Sequence, residues 1–479
     1  MSAAVELRNV SFAYSGTEKL ILKDANLRLD YGSFTVLSGV SGEGKTTLLS
    51  IINGVIPYIN GGKLTGEVYL NGRDASKMRT SERSRLVGSV LQNADEQIVH
   101  DRVEDEAAFG CENFKIPVPE IQNAVQKSLD WMSLKPEWAT KTLSGGQKQR
   151  LITAATLAMD QRILILDEPL ANLDKDGAKL LLDTLQRLSN EGVAILLAEH
   201  RLDIVLPYAD RVVWLKEGAV LTSDSPHQYL AQNRERIPPC TNGKIQKNRP
   251  CLEADEISYF AGGREILKQL SAQIRFGERI VLLGENGCGK TTLLRLLARL
   301  TRPTSGTLRQ FILPGDRHKK PRAEWFQRVG FVYQNPSYQL FMPTLMEEVA
   351  YRAVSLEKAA QMIEQFGLSG LENRHPHSLS EGQKRRAGIA AIAAGEPEVI
   401  LLDEPTVGQD YQNLKNMVES LNRLQAEKGC TMITVTHDFR CAAALADRVL
   451  VLEDGRIAKK GGPELADRYF RRNISSSAL

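Results

Sequence analysis

The sequence has little that ties it to an oxidising compartment or to a bilayer. None of its six cysteines, Cys111, Cys240, Cys251, Cys288, Cys430 and Cys441, stands in a Cys-x-x-Cys pair. Their spacings suit neither a zinc site nor an iron–sulfur cluster, so they read as reduced thiols. No apolar run approaches the roughly 18–20 residues that span a membrane. The longest, such as Val193-Ala194-Ile195-Leu196-Leu197-Ala198, have the length of buried strands. Met1-Ser2-Ala3-Ala4-Val5-Glu6 lacks a basic-then-apolar signal pattern. Neither sign of charge dominates: the net charge is +3 over 479 residues. That balance gives no electrostatic reason to expect a nucleic-acid partner. The expectation is a cytosolic chain whose membrane association, if any, comes through a partner. Arg374-His375-Pro376-His377 invites a metal reading. With no further ligand nearby, an exposed loop is the plainer one.

What is present is more telling. A chain of this length is too long for one core and calls for two or three domains. Gly39-Val40-Ser41-Gly42-Glu43-Gly44-Lys45-Thr46 reads Gly-x-x-x-x-Gly-Lys-Thr. Phe34-Thr35-Val36-Leu37 before it reads as a short buried strand, and Thr47-Leu48-Leu49-Ser50 after it opens a helix. Strand, loop and helix in that order are what a phosphate-binding loop requires. The glycines let successive N–H groups point into one concavity, and the helix N-terminus adds partial positive charge. Lys45 supplies a full charge for the β- and γ-phosphates, and Thr46 a hydroxyl for Mg²⁺.

Around this loop the first half reads as a succession of strands and helices. Val5–Phe12 alternates as an edge strand, and Gly66–Gly72 alternates and ends in an Asn-Gly turn. Val87–Asn93 is a strand ending in polar residues, and a helical region runs from about Val103 to Leu134. Leu143-Ser144-Gly145-Gly146-Gln147 opens a helix through Met159. Ile163–Pro169 is a buried strand ending in two acids, and a later one ends at Glu199-His200.

The second half repeats this programme. Gly284-Glu285-Asn286-Gly287-Cys288-Gly289-Lys290-Thr291, followed by Thr292, is a second phosphate loop. Gly330–Asn335 echoes the strand ending at Gln92. Leu379-Ser380-Glu381-Gly382-Gln383 echoes Leu143–Gln147. Ile400–Pro405 echoes the acid-ended strand, and Ile433–His437 the strand ending at His200. Five motifs recur in one order. They divide the chain into residues 1–233, a short polar linker at 234–250, and 251–479. Each half is expected to be an α/β domain with a mostly parallel sheet core, a small antiparallel β subdomain and a helical subdomain. Ligands should then sit at the strand C-termini.

The notable polar residues fall there. Asp167 and Asp403 each end an apolar strand, where an acid is costly to bury unless it faces a cation such as Mg²⁺. Glu168 and Glu404 are placed to orient an attacking water or accept its proton. His200 and His437 can donate to a γ-phosphate. The plainer alternatives are acids that cap a strand-to-loop turn and ordinary strand-end histidines.

The set of phosphate loop, strand-end Gln, Leu-Ser-Gly-Gly-Gln, Asp-Glu-Pro and strand-end His resembles the ATP-binding cassette (ABC) ATPases over nearly the whole chain, twice. The resemblance implies ATP hydrolysis with Mg²⁺, the metal held by Thr46, Gln92 and Asp167 and by Thr291, Gln334 and Asp403. It implies head-to-tail closure, in which Lys45 works with Ser380, Gly382 and Gln383, and Lys290 with Ser144, Gly145, Gly146 and Gln147. The pairing can lie within one chain or between two. Asp174 and Asp410 match inter-cassette aspartates. Thr47 and Thr292 extend the two nucleotide-binding loops, and Tyr14, and Tyr259 or Phe260, fit the adenine-stacking position.

Gln92-Asn93-Ala94-Asp95-Glu96-Gln97-Ile98 and Gln334-Asn335-Pro336-Ser337-Tyr338-Gln339-Leu340-Phe341 look more narrowly like the Gln-Asn-Pro-x-x-Gln segment of energy-coupling-factor (ECF) transporter ATPases. Ala94 departs from the usual Pro. In that family the segment forms a groove for a helix of the membrane subunit. Here it mixes apolar anchors (Ile98, Val99, Leu340, Phe341, Met342) with acids (Glu104, Asp105, Glu347, Glu348), a mixture suited to an amphipathic helix carrying arginines. The resemblance implies the energising subunit of a vitamin or metal importer, peripheral on the cytoplasmic face. Its partners would be a transmembrane coupling subunit and a small membrane substrate-binding subunit. A soluble tandem ABC protein acting on ribosomes and a fused sugar-importer ATPase are the alternatives. Glu381 stands where Gly145 stands in the first copy, and a carboxylate there should disfavour the Lys45 site unless it points outward.

Overall fold

The computed structural model describes residues 3–40, 42–170, 173–232, 237, 249–313, 323–406, 409 and 411–475. Ser41, Asp410 and most of the 234–250 segment lie outside them. The chain forms two compact units, Met1–Arg234 and Glu235–Leu479.

In the first unit a six-stranded sheet runs Ala219–Ser223, Arg211–Lys216, Phe34–Ser38, Ala194–Ala198, Ile163–Asp167, Val87–Val90. The last five are mutually parallel, and Ala219–Ser223 closes one edge antiparallel. The second unit repeats the order with Arg456–Gly461, Arg448–Glu453, Arg279–Leu283, Thr431–Val435, Val399–Asp403 and Val329–Val332. The central strands Phe34–Ser38, Ile163–Asp167 and Ala194–Ala198 are buried at every position, as are their counterparts. Helices cover both faces of such a sheet, which is why these strands read as unbroken apolar runs.

A smaller antiparallel sheet completes each unit. In the first its order is Leu22–Leu29, Val5–Tyr14, Gly62–Leu70, Arg73–Asp74. Val5–Tyr14 is therefore paired on both sides and is not an edge strand. Its alternation reports one face on the core and one in solvent, which a central antiparallel strand shows equally well. The Asn-Gly turn forms as expected: Tyr69 faces Asp74 and Leu70 faces Arg73, with Asn71 and Gly72 at φ 53 and 73°.

The helical part of the first unit comprises Val103–Asn113, Val118–Trp131 and Gly145–Ala158. That of the second comprises Leu345–Ala350, Leu356–Gln365 and Glu381–Ala394. Their apolar faces share one core with the sheet-covering helices. No helix among the described residues is long and apolar enough to cross a membrane.

Candidate nucleotide sites

Each phosphate loop leaves the C-terminal end of a central strand and runs directly into a helix, Lys45–Asn53 or Lys290–Leu297. Gly44 and Gly289 precede the helices at φ 102 and 104°. A side chain at Gly44 would be strained there, and its Cβ would meet Ile21 Cγ2 at 2.7 Å. Lys45 Nζ donates to the carbonyls of Gly39 (2.7 Å) and Val40 (3.1 Å). Lys290 Nζ does the same to Gly284 (2.8 Å) and Glu285 (2.7 Å). Both ammonium groups are thus held over the loop where phosphate oxygens would lie.

Thr46 Oγ1 donates to Asp167 Oδ2 at 2.7 Å, and Thr291 Oγ1 to Asp403 Oδ1 at 3.0 Å. Burial, with Glu168 adjacent, pushes the Asp167 carboxyl up to about 6. The same causes act on Asp403 beside Glu404, also to about 6. A carboxylate this buried, facing a hydroxyl and near a lysine, fits the hard oxygen-liganded Mg²⁺ of a nucleotide.

Glu168 and Glu404 follow with φ 49 and 51°, a left-handed geometry that non-glycine residues rarely adopt. Gln92 Nε2 donates to Glu168 Oε2 at 3.0 Å. His200 Nε2 lies 3.1 Å from Glu168 Oε1, and His437 Nε2 lies 3.2 Å from Glu404 Oε1. Burial raises the Glu168 carboxyl, but His200, Lys45 and the Gln92 amide outweigh it and hold Glu168 below the ordinary range. Gln334, like its counterpart Gln92, is exposed, but among the described residues it makes no bond to Glu404. Glu404 Oε2 instead accepts from the backbone N–H of His437 at 3.2 Å, so each glutamate has a second partner besides its histidine ring.

Ser144 and Ser380 are N-caps. Each hydroxyl accepts from the N–H of Gln147 or Gln383 at 3.3 Å. Each glutamine returns the bond through Oε1, at 2.8 Å for Ser144 N and 3.0 Å for Ser380 N. The capping box uses each serine oxygen as an acceptor, so its proton stays free to donate to an anion. Gln147 and Gln383, expected at the nucleotide, have at least this structural role. Glu381 is ion-paired with Lys384 at 2.8 Å, which offsets the charge that its replacement of glycine introduces.

Tyr14 donates to or accepts from Thr47 Oγ1 at 2.9 Å and stands partly exposed on the β subdomain. The second copy differs. Phe12 faces Leu22 across its hairpin, and Tyr259 faces Leu267. Leu22 and Leu267 both pack beside the glycine before the lysine. Tyr259 therefore takes the place of Phe12, half-buried against the core. Ala261 takes the place of Tyr14, and Phe260, 51 % exposed, is the aromatic ring left free nearby.

The glutamine segments keep one shape despite Ala94. Asn93 Oδ1 accepts from Asp95 N (3.1 Å) and Asn335 Oδ1 from Ser337 N (2.9 Å), an Asx turn in both. Gln97 folds back to bond both the N–H and the carbonyl of Leu91, and Gln339 accepts from Tyr333 N. One acid in each copy is turned inward. Glu348 is buried, its Oε2 accepting from Phe341 N (2.7 Å) and Met342 N (2.8 Å). It is a loop cap and not an open groove acid. Its counterpart Glu106, missed in the sequence, accepts from Val99 N (2.9 Å) and His100 N (2.8 Å). Leu340 is core, whereas Val99 and Phe341 are each 63 % exposed.

Two repeated parallel sheets, each with a phosphate loop, a strand-end acid pair and a Ser-capped signature helix, define tandem nucleotide-hydrolysing cassettes. The ABC transporter domain family matches residues 22–171 and 267–407, and the chain belongs to that family. A Methanosarcina mazei protein named as an ABC transporter ATP-binding protein is 34% identical, over 96% of this chain and 89% of its own. A Bacillus subtilis protein whose name assigns it to HMP/thiamine import as an ATP-binding protein is 34% identical, over 95% of this chain and 91% of its own. Among solved structures, an archaeal ribosome recycling factor in complex with a ribosomal stalk protein matches with TM-score 0.66. It covers 97% of this chain and 92% of the other, at 20% identity, a likeness of fold. The chain is an ABC ATPase.

Proposed function

We propose that this chain is the energising subunit of an ECF-type importer, coupling ATP hydrolysis to uptake of a vitamin or a metal through membrane partners. The observation that carries the reading is the pair of glutamine segments. Each is rigidified by a buried glutamate and a back-folded glutamine, and each presents an exposed apolar residue, Val99 or Phe341, beside the end of a catalytic strand. The name of the Bacillus subtilis relative points the same way.

In this reading Lys45 and Lys290 bind the β- and γ-phosphates, with the loop N–H groups around them. Thr46, Asp167 and Gln92 would hold Mg²⁺ in the first site, and Thr291, Asp403 and Gln334 in the second. The metal, when bound, neutralises phosphate charge. Glu168 and Glu404 orient the attacking water, and His200 and His437 donate to the γ-phosphate. Tyr14, and in the second site Phe260, cover the adenine. The signature serines and glycines complete the opposite cassette's phosphate cage, so closure assembles the site and hydrolysis releases it. Asp174, an N-cap whose side chain accepts from Gly177 N at 2.9 Å, would lie at that junction.

The test is purification of the full chain from detergent-extracted membranes of its host. The expected result is co-purification of a multi-spanning membrane protein and a small membrane protein in fixed ratio. Co-sedimentation with ribosomes and no membrane partner would overturn the reading.

A further inference from the structure

The two signature helices are tethered differently. In the second unit Arg385, on the helix Glu381–Ala394, is buried, and its Nη1 donates to the backbone carbonyl of Glu404. Gln409, also buried, donates from Nε2 to the carbonyl of Gly382 at 3.0 Å. The signature is therefore bonded at one point to the residue that carries the catalytic carboxylate and at another to the segment that follows it. In the first unit these places hold Gln149 and Leu173. Gln149 is buried, and its Nε2 has no hydrogen-bond partner among the described residues. Leu173 is apolar and packs into the core.

Burying a guanidinium is costly unless its surroundings compensate. Burial draws Arg385 down to about 10, with Glu381, Glu404 and Asp403 opposing, so it stays charged at neutral pH. Glu381 replaces a neutral glycine and Arg385 a neutral glutamine, so the two changes offset each other in charge. A charged donor on a backbone carbonyl is also a stronger tether than a neutral amide. The carbonyl it holds belongs to a residue at φ 51°, whose side-chain direction depends on how that strained peptide is held.

We propose that Arg385 and Gln409 are positioning residues: they make the alignment of Glu404 depend on the seating of the second signature helix. The proposal rests on the assignment of Glu404 as the water-orienting residue. Its consequence is one-way communication. Nucleotide drawn against Ser380 and Gly382 moves the helix that sets Glu404, whereas the first signature helix has no such bond to Glu168 among the described residues.

The test uses steady-state ATP hydrolysis by the full chain carrying Glu168→Gln, so that Glu404 is the remaining glutamate. Arg385→Gln and Gln409→Leu install the residues that the first cassette already accommodates. Each is expected to lower kcat on the order of tenfold with KM changed less than about twofold, as misplacement of a catalytic group does. Arg385→Lys, which keeps a charged donor, should recover at least about half of the loss. The loss should be at least about fivefold larger than the loss the same substitutions cause with Glu404→Gln, where Glu168 remains. Equal losses in both backgrounds, a loss confined to KM, or no loss would overturn the proposal. Glu168→Gln alone being inactive would overturn the assignment of Glu404 itself, and the proposal with it.

Discussion

At the scale of single residues, the chemistry is concentrated in a few groups placed where they are unstable alone. Asp167 is the clearest. Its folded carboxyl keeps its proton up to about pH 6, against 3.8 for the ordinary group. Without nucleotide, ionising it therefore costs stability, absent below about pH 3.8 and fully present above about pH 6. Asp167→Asn should accordingly be more stable than the parent at pH 8 by up to about 2–3 kcal/mol, and equal to it near pH 3.8. Urea denaturation of the nucleotide-free protein at several pH values checks this. A metal that needs the ionised carboxylate must displace that proton, so Mg²⁺-dependent ATP binding should weaken as pH falls through 6. Titration with a fluorescent ATP analogue at pH 5.5 and 7.5 checks that sign. The acid pairs and histidines stand out in the sequence because each follows a short apolar run, and the lysines because each closes a Gly-rich loop. The adenine position of the second site was not: the hairpin beside it closes differently, so only the strand register shows that Tyr259 answers to Phe12.

At the scale of elements, the buried parallel strands could be read directly, since a strand covered on both faces has no polar positions to confuse the pattern. Antiparallel strands gave less. Alternation in Val5–Phe12 identifies a strand but does not count its neighbours. Acids in the first turn of a helix were the least legible. Glu104, Asp105, Glu347 and Glu348 look alike in sequence, as a solvated and dipole-favoured cluster would. Tertiary structure separates them by turning Glu348 inward onto backbone N–H groups, as it turns Glu106 in the first copy. Replacing either by Ala leaves two N–H groups unpaired. A loss of roughly 2 kcal/mol is expected for Glu348→Ala, and much less for Glu347→Ala, by chemical denaturation.

At the scale of the molecule, duplication gives two proposed sites with the same residue types but unlike supports. Gln92 holds Glu168 in the first, while Arg385 holds the Glu404 peptide in the second. Glu381 leaves the signature that would serve Lys45 with an added acid, partly offset by Lys384. Turnover should therefore survive Glu168→Gln at least as well as Glu404→Gln, and steady-state hydrolysis by the two single variants decides it. The central claim is that the paired glutamine segments deliver this cycle to a membrane protein. Its most direct measurement is the fraction of the full chain retained on washed host membranes, for the parent and for a Val99→Asp, Phe341→Asp double variant. The parent should stay on the membranes and the variant should be released while still binding ATP. A variant retained as fully as the parent, or a parent that pellets with ribosomes, would contradict the account.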